Sequence, residues 1–133
     1  MARLRTGSSL TRALLWLPAI GWAALIFALS ATPNLRLVES DPVDFVVRKA
    51  GHMAAFGILS LLLWGALFRS RVRRAVAISL ALTVVYAASD ELHQSFTAGR
   101  HASPVDVGID SIGALVALLA LVAWLRLRAG RAS

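Results

Sequence analysis

Four long apolar stretches, separated by polar or basic segments, set the pattern of this chain. Residues 13–31 carry no charge, a run of about 19 positions or about 28 Å of helix, enough to cross a bilayer. Pro18 and Gly21 lie near its start and predict a kink, which helices in lipid tolerate. The run exceeds the about 7–15 apolar residues of a secretory signal, so Ala28-Leu29-Ser30 reads as part of a retained span and not as a cleavage site. A second helix is predicted over 42–68. It opens on Asp41-Pro42-Val43-Asp44, with Asp41 as N-cap, Pro42 at N1 and Asp44 at N3. Its first turns carry Arg48 and Lys49 and belong at the interface; beyond them only His52 interrupts the apolar run. A third helix is predicted over 75–96, running into Asp90-Glu91-Leu92-His93-Gln94. Residues 97–102 read as a loop with Gly99 at the turn. Ser103-Pro104-Val105-Asp106 then repeats the helix-start signature, and a fourth helix is predicted over 104–125.

Composition agrees. Of 133 residues, 58% are hydrophobic, and the mean hydropathy of +0.71 is that of a polytopic membrane protein. There is no cysteine, which excludes disulfides, iron–sulfur ligation and thiol chemistry. The 14 basic residues are arginine except for Lys49. They sit at the ends of apolar runs, so the high isoelectric point signals membrane topology and not nucleic acid. The N-terminal segment, the 69–74 turn and the C-terminal segment hold ten of the basic residues and none of the acids. The positive-inside rule then places both termini in the cytoplasm, with four spans and the acidic loops outside. The expectation is an all-α, four-helix transmembrane bundle in a single domain over 1–133. Trp16, Trp22, Trp64 and Trp124 are expected to face lipid or the interface, and His93 and His101 to be exposed there.

The polar residues fall at one depth. His52, Asp90 and Asp110 stand about 16–17 residues from Arg69, Arg74 and Arg126 on their respective helices, about 24–26 Å above the basic rim. That is the outer part of a hydrocarbon core about 30 Å thick, where a charge is costly and wants a reason. Asp90 and Gln94 are spaced i, i+4; Asp106, Asp110 and Gly113 are i, i+4, i+7; and Lys49, His52 and Phe56 form a similar stripe. Gly113 would let another helix approach closely. These positions predict an outward-opening cleft between the second, third and fourth helices. It would be lined by His52, Asp90, Glu91, Gln94, Asp106 and Asp110, with Arg100 above it. Asp41, Asp44 and Asp106 have helix capping as their plain alternative.

The same residues carry a resemblance. Lys49-Ala50-Gly51-His52 followed by Phe56, then Asp90-Glu91 with Gln94, Gly99-Arg100, Asp106, Asp110 and Gly113, resemble the VanZ-like family, named after an accessory protein of low-level teicoplanin resistance. Ser30 matches the small polar residue near the end of the family's first helix. Asp110 stands where many members carry Asn. The resemblance covers about residues 20–120. It implies a multi-pass protein of the bacterial cytoplasmic membrane, acting in the cell envelope and linked to glycopeptide resistance.

Three functions are compatible with these residues. The first is binding of a membrane lipid or lipid-linked envelope precursor. Lys49, His52 and Arg100 would meet its anionic groups, and Glu91, Gln94, Asp106 and Asp110 its polar groups. The second is a membrane-embedded enzyme with His52, Asp90, Glu91 and Asp110 as candidate acid–base residues. A variant of that reading has His52, Glu91, Asp106 and Asp110 holding a divalent metal. The third is a small transporter, disfavoured because coupling sites lie near mid-membrane and no charge falls there. The binding reading requires no resident cofactor or metal, and no nucleic-acid partner is expected. Oligomeric state is open. The competing reading of the cluster is a polar network that only fixes helix packing.

Overall fold

The computed structural model describes residues 13–32, 41–97 and 103–131. The candidate residues Arg100 and His101 lie outside the described residues, as does the side chain of Asp41. Among the described residues four helices follow in order: α1 Leu17–Ser30, α2 Asp41–Arg69, α3 Ala75–Gln94 and α4 Pro104–Gly130. Among the described residues, α2, α3 and α4 are long and apolar enough to cross a membrane, and α1 is a shorter apolar helix. The all-helical fold matches the sequence expectation. The boundaries of the first and fourth helices do not: α4 runs on to Gly130, past the expected end at 125. Residues 13–14 are helical, Leu15 and Trp16 turn, and α1 begins only at Leu17. Pro18 is the reason: it has no N–H to donate to the carbonyl four residues back, so it opens a helix more readily than it continues one. The regular part spans about 21 Å.

The helices form an up-and-down bundle. Contacts between α2 and α4 advance together, from Lys49 with Asp106 through His52 with Asp110 to Ser60 with Ala114, so these two helices run parallel. α1 and α3 are likewise parallel, joined from Tyr86 with Ala23 to Ser30 with Asp90. The most extensive packing is between α2 and α4. Gly113 explains it. A Cβ built there would stand 2.3 Å from the Met53 carbonyl oxygen, so the backbones touch where only glycine fits.

α3 turns a stripe of small residues inward: Ala75, Ser79, Thr83 and Ala87 are buried, followed by Asp90, Glu91 and Gln94. Its hydroxyls stay within the helix, Ser79 donating to Val76 O at 2.9 Å and Thr83 to Ser79 O at 2.8 Å. Between the helices lies an apolar cluster of Ile26, Phe56, Leu59 and Ala87, flanked by Trp22 and Tyr86. Trp22 is therefore not a lipid-facing anchor. The ring is half-buried against the cluster, and its Nε1–H donates to Ala55 O at 2.9 Å, the partner an indole N–H needs away from water. Val85, Val116 and Leu119 face outward, as a bundle solvated by hydrocarbon requires.

The α2–α3 turn is basic and tight. Ser70 N donates to Ala66 O at 3.0 Å, and Val72 N to Leu67 O at 3.0 Å. Arg71 occupies the left-handed C′ position between them with φ 57°, and Arg74 repeats the conformation at φ 61° as N-cap of α3.

Candidate functional site

Two of the proline-opened helices, α2 and α4, deliver polar side chains to the opposite end of the bundle from this turn. On α2, Asp44 is buried and pairs with Arg48 at 2.9 Å. One turn on, Lys49 crosses to α4 and pairs with Asp106. His52 follows, its Nδ1 3.5 Å from Asp110 Oδ1. That separation suits an ion pair but exceeds hydrogen-bond length. The imidazole is half-buried and stacks on Phe56 with ring centroids 6.2 Å apart. Asp110 itself is 1% exposed, and neither of its oxygens has a hydrogen-bond partner among the described residues.

α3 contributes the next layer. Asp90 is buried, and its Oδ2 accepts from Ser30 Oγ at 2.8 Å and from Gln94 Nε2 at 2.9 Å. The i, i+4 spacing of Asp90 and Gln94 is what brings the latter pair together. Glu91 Oε2 accepts the backbone N–H of Ser103 at 2.8 Å. Asp90 Oδ1 and Glu91 Oε1 are buried without a hydrogen-bond partner among the described residues. Glu91 lies within electrostatic reach of Asp106, Asp110 and His52, and Asp110 within reach of Asp90 and Asp106. The cluster is thus one electrostatic unit built from three spans.

The sequence-predicted residues Lys49, His52, Asp90, Glu91, Gln94, Asp106 and Asp110 all lie at this end and interact in the register their spacing implies. Three details differ from expectation. Ser103 is the N-cap residue of α4 but makes no side-chain cap bond, and the Asp106 carboxylate goes to Lys49. An ion pair across helices here replaces the local cap. Asp90 reaches α1 through Ser30, a residue the family resemblance singled out but the predicted cleft left aside. His93 is half-buried and not exposed: it stacks on Phe27 with ring centroids 4.0 Å apart, and its Nε2 is buried. No group of three His, Asp or Glu among the described residues is arranged to hold a metal ion. The metal variant of the enzyme reading therefore draws no support from the geometry.

Chemically, the cluster is rich in acceptors. Four carboxylate oxygens, one each on Asp90 and Glu91 and two on Asp110, are buried and lack a hydrogen-bond donor among the described residues. A buried polar atom left this way forfeits its solvation, at a cost of about 1–3 kcal/mol and more for a charge. Such atoms in a native fold call for a partner: a bound donor, a water or a proton.

Long apolar helices, a buried polar layer near one end and a basic rim at the other define a multi-pass helical membrane protein. Residues 11–126 match the model of the VanZ/LLP1 family, and the chain belongs to that family. No match was found among curated proteins or among solved structures.

Proposed function

We propose that this end of the bundle binds the polar headgroup of a membrane lipid or lipid-linked envelope precursor in the bacterial cytoplasmic membrane, and that this binding contributes to glycopeptide resistance of the teicoplanin type. The supporting observation is the set of buried oxygens on Asp90, Glu91 and Asp110 that have no hydrogen-bond partner among the described residues. Carboxylates accept, so they select hydroxyl and amine donors. Those are the groups a glycosylated or aminated headgroup would present. Lys49 is already committed to Asp106. Contact with an anionic group therefore falls to His52 and to Arg100, whose guanidinium suits bidentate recognition of phosphate.

A second reading, acid–base catalysis on the same lipid, rests on His52 beside Asp110. An imidazole oriented by a buried carboxylate is the arrangement general-base chemistry uses. The discriminating experiment measures teicoplanin resistance and growth for Glu91→Gln, Arg100→Lys, Asp110→Asn and His52→Gln, with membrane levels checked. Co-purified lipid is then analysed by native mass spectrometry. Binding predicts that normally inserted variants lose both resistance and the retained lipid. Catalysis predicts that Glu91→Gln and His52→Gln keep the lipid and accumulate it unconverted. Unchanged resistance and lipid content in all four variants would sink both readings.

A further inference from the structure

The basic end of the bundle is not used by the site above. The parallel register of α2 and α4 pairs Lys49 with Asp106 and His52 with Asp110. Extended along both helices at a common rise per residue, it brings Arg69 level with Arg126. The end of α2, the turn to α3 and the end of α4 therefore present Arg69, Arg71, Arg73, Arg74, Arg126 and Arg128 on one face. All six are exposed, and none makes an ion pair among the described residues. The sequence places no acid between Arg69 and Ser89 or after Asp110, so no local carboxylate neutralises them.

Two features make this more than a topology signal. First, Arg71 and Arg74 both hold left-handed backbone, φ 57° and 61°, within one short turn. Each such conformation costs an L-residue about 1 kcal/mol, a cost that glycine escapes. Any arginine nearby would serve the positive-inside rule, so charge alone does not require these two strained positions. Second, the turn leads into the N-terminus of α3, which has no side-chain cap and no acid in its first turn. Its free N–H groups add positive potential beside four guanidinium groups. On α4, Arg128 stacks over Trp124 at 4.2 Å, an aromatic and a cation held together at the depth where headgroups lie.

We infer that the α2–α3 turn and the end of α4 form a headgroup site for anionic phospholipid, with Arg71 and Arg74 gripping the phosphodiester. Guanidinium groups recognise phosphate by paired N–H bonds, which lysine does not reproduce. The surrounding arginines supply the long-range attraction, of the kind basic segments show toward anionic leaflets.

The test uses the full chain purified in neutral detergent. Thermal unfolding and native mass spectrometry are recorded with added phosphatidylglycerol, with phosphatidylcholine and with inorganic phosphate. Phosphatidylglycerol is expected to raise the unfolding temperature and to remain attached in the gas phase, where the other two do neither. The Arg71→Lys/Arg74→Lys double variant keeps the net charge and so the topology. It is expected to lose most of the shift and most of the retained lipid. Each single Lys variant is measured alongside, and a partial loss in either is expected if the double variant does not fold. A full shift and full lipid retention in folded Lys variants would reduce the face to a topology signal. An equal shift with phosphatidylcholine, or its reproduction by inorganic phosphate alone, would overturn the lipid assignment.

Discussion

Ser103 donates its backbone N–H to Glu91 Oε2 at 2.8 Å, so the first residue before α4 is held by a carboxylate at the end of α3. One acidic side chain thus serves the fold with one oxygen and leaves the other buried and unpartnered among the described residues. The two roles separate by substitution. Glu91→Gln keeps a carbonyl oxygen able to accept from Ser103 and should leave stability nearly unchanged. Glu91→Ala strands the Ser103 donor and opens a polar void, at an expected cost of about 1–3 kcal/mol. Thermal unfolding in detergent reads both. Equal destabilisation by Gln and Ala would show that the charge itself, and not the hydrogen bond, holds α4 in place.

Gly113 sets how closely α2 and α4 approach. Any Cβ there meets the Met53 backbone at 2.3 Å, and a helix backbone gives way only by moving whole. Gly113→Ala should cost about 1–3 kcal/mol by overpacking, and should also weaken His52–Asp110, one turn away. Gly57→Ala, whose Cβ would lie 3.2 Å from Gly113 O, should do less. Gly108→Ala meets nothing within 4 Å and should stabilise α4 by about 0.5–1 kcal/mol through helix propensity. Ranking the three by thermal unfolding tests the packing directly. Gly113→Ala behaving like Gly108→Ala would mean the helices are not in contact.

Much of this arrangement was legible in the sequence, and the exceptions share a cause. Depth placed His52, Asp90 and Asp110 at one level and spacing put Gln94 on the face of Asp90, because α-helical rise and periodicity are local properties. Asp41-Pro42 and Ser103-Pro104 marked two helix starts for the same reason. Ser30 as a partner of Asp90, and Lys49 as the partner of Asp106, depend on which helices are neighbours; one-dimensional spacing does not contain that. The Ser103 N–H was invisible for a further reason: every residue but proline carries one, so composition cannot single it out. At α1 the departure is local. Pro18 in so long an apolar run predicts a kink, whereas in the structure it begins a shorter helix.

Asp90 takes one of its two donors from α1. Ser30→Ala removes one of the two hydrogen bonds to Asp90 Oδ2 and leaves Gln94 as the other. A loss of about 1–3 kcal/mol is expected, the cost of under-satisfying a buried carboxyl. Ser89→Ala is the control: its hydroxyl is exposed and bonds within its own helix to Tyr86 O, so no measurable change is expected. The Ser30 cost should largely vanish in an Asp90→Leu background, where no carboxyl remains to satisfy. An undiminished cost there would place Ser30's role in packing against α3.

His52 and Asp110 give the sharpest test of whether the polar layer is a site or a brace. At 3.5 Å His52 Nδ1 stands at the outer edge of polar contact with Asp110 Oδ1. Asp110 is buried, and His52 is the side chain that pairs with it among the described residues. Removing the imidazole should therefore be felt mainly through Asp110. In a double-mutant cycle, His52→Gln should be destabilising in the parent and nearly neutral when Asp110 is already Asn, with a coupling energy of about 1–3 kcal/mol. Resistance and lipid retention, measured on the same four proteins, separate the roles. A brace predicts that activity tracks stability, so adding His52→Gln to Asp110→Asn lowers neither further. A site predicts that the double variant is stable yet inactive, because acceptor and imidazole are both gone. Additive stabilities would show that the two residues do not act as a pair, and the electrostatic unit proposed for this end of the bundle would fall with them.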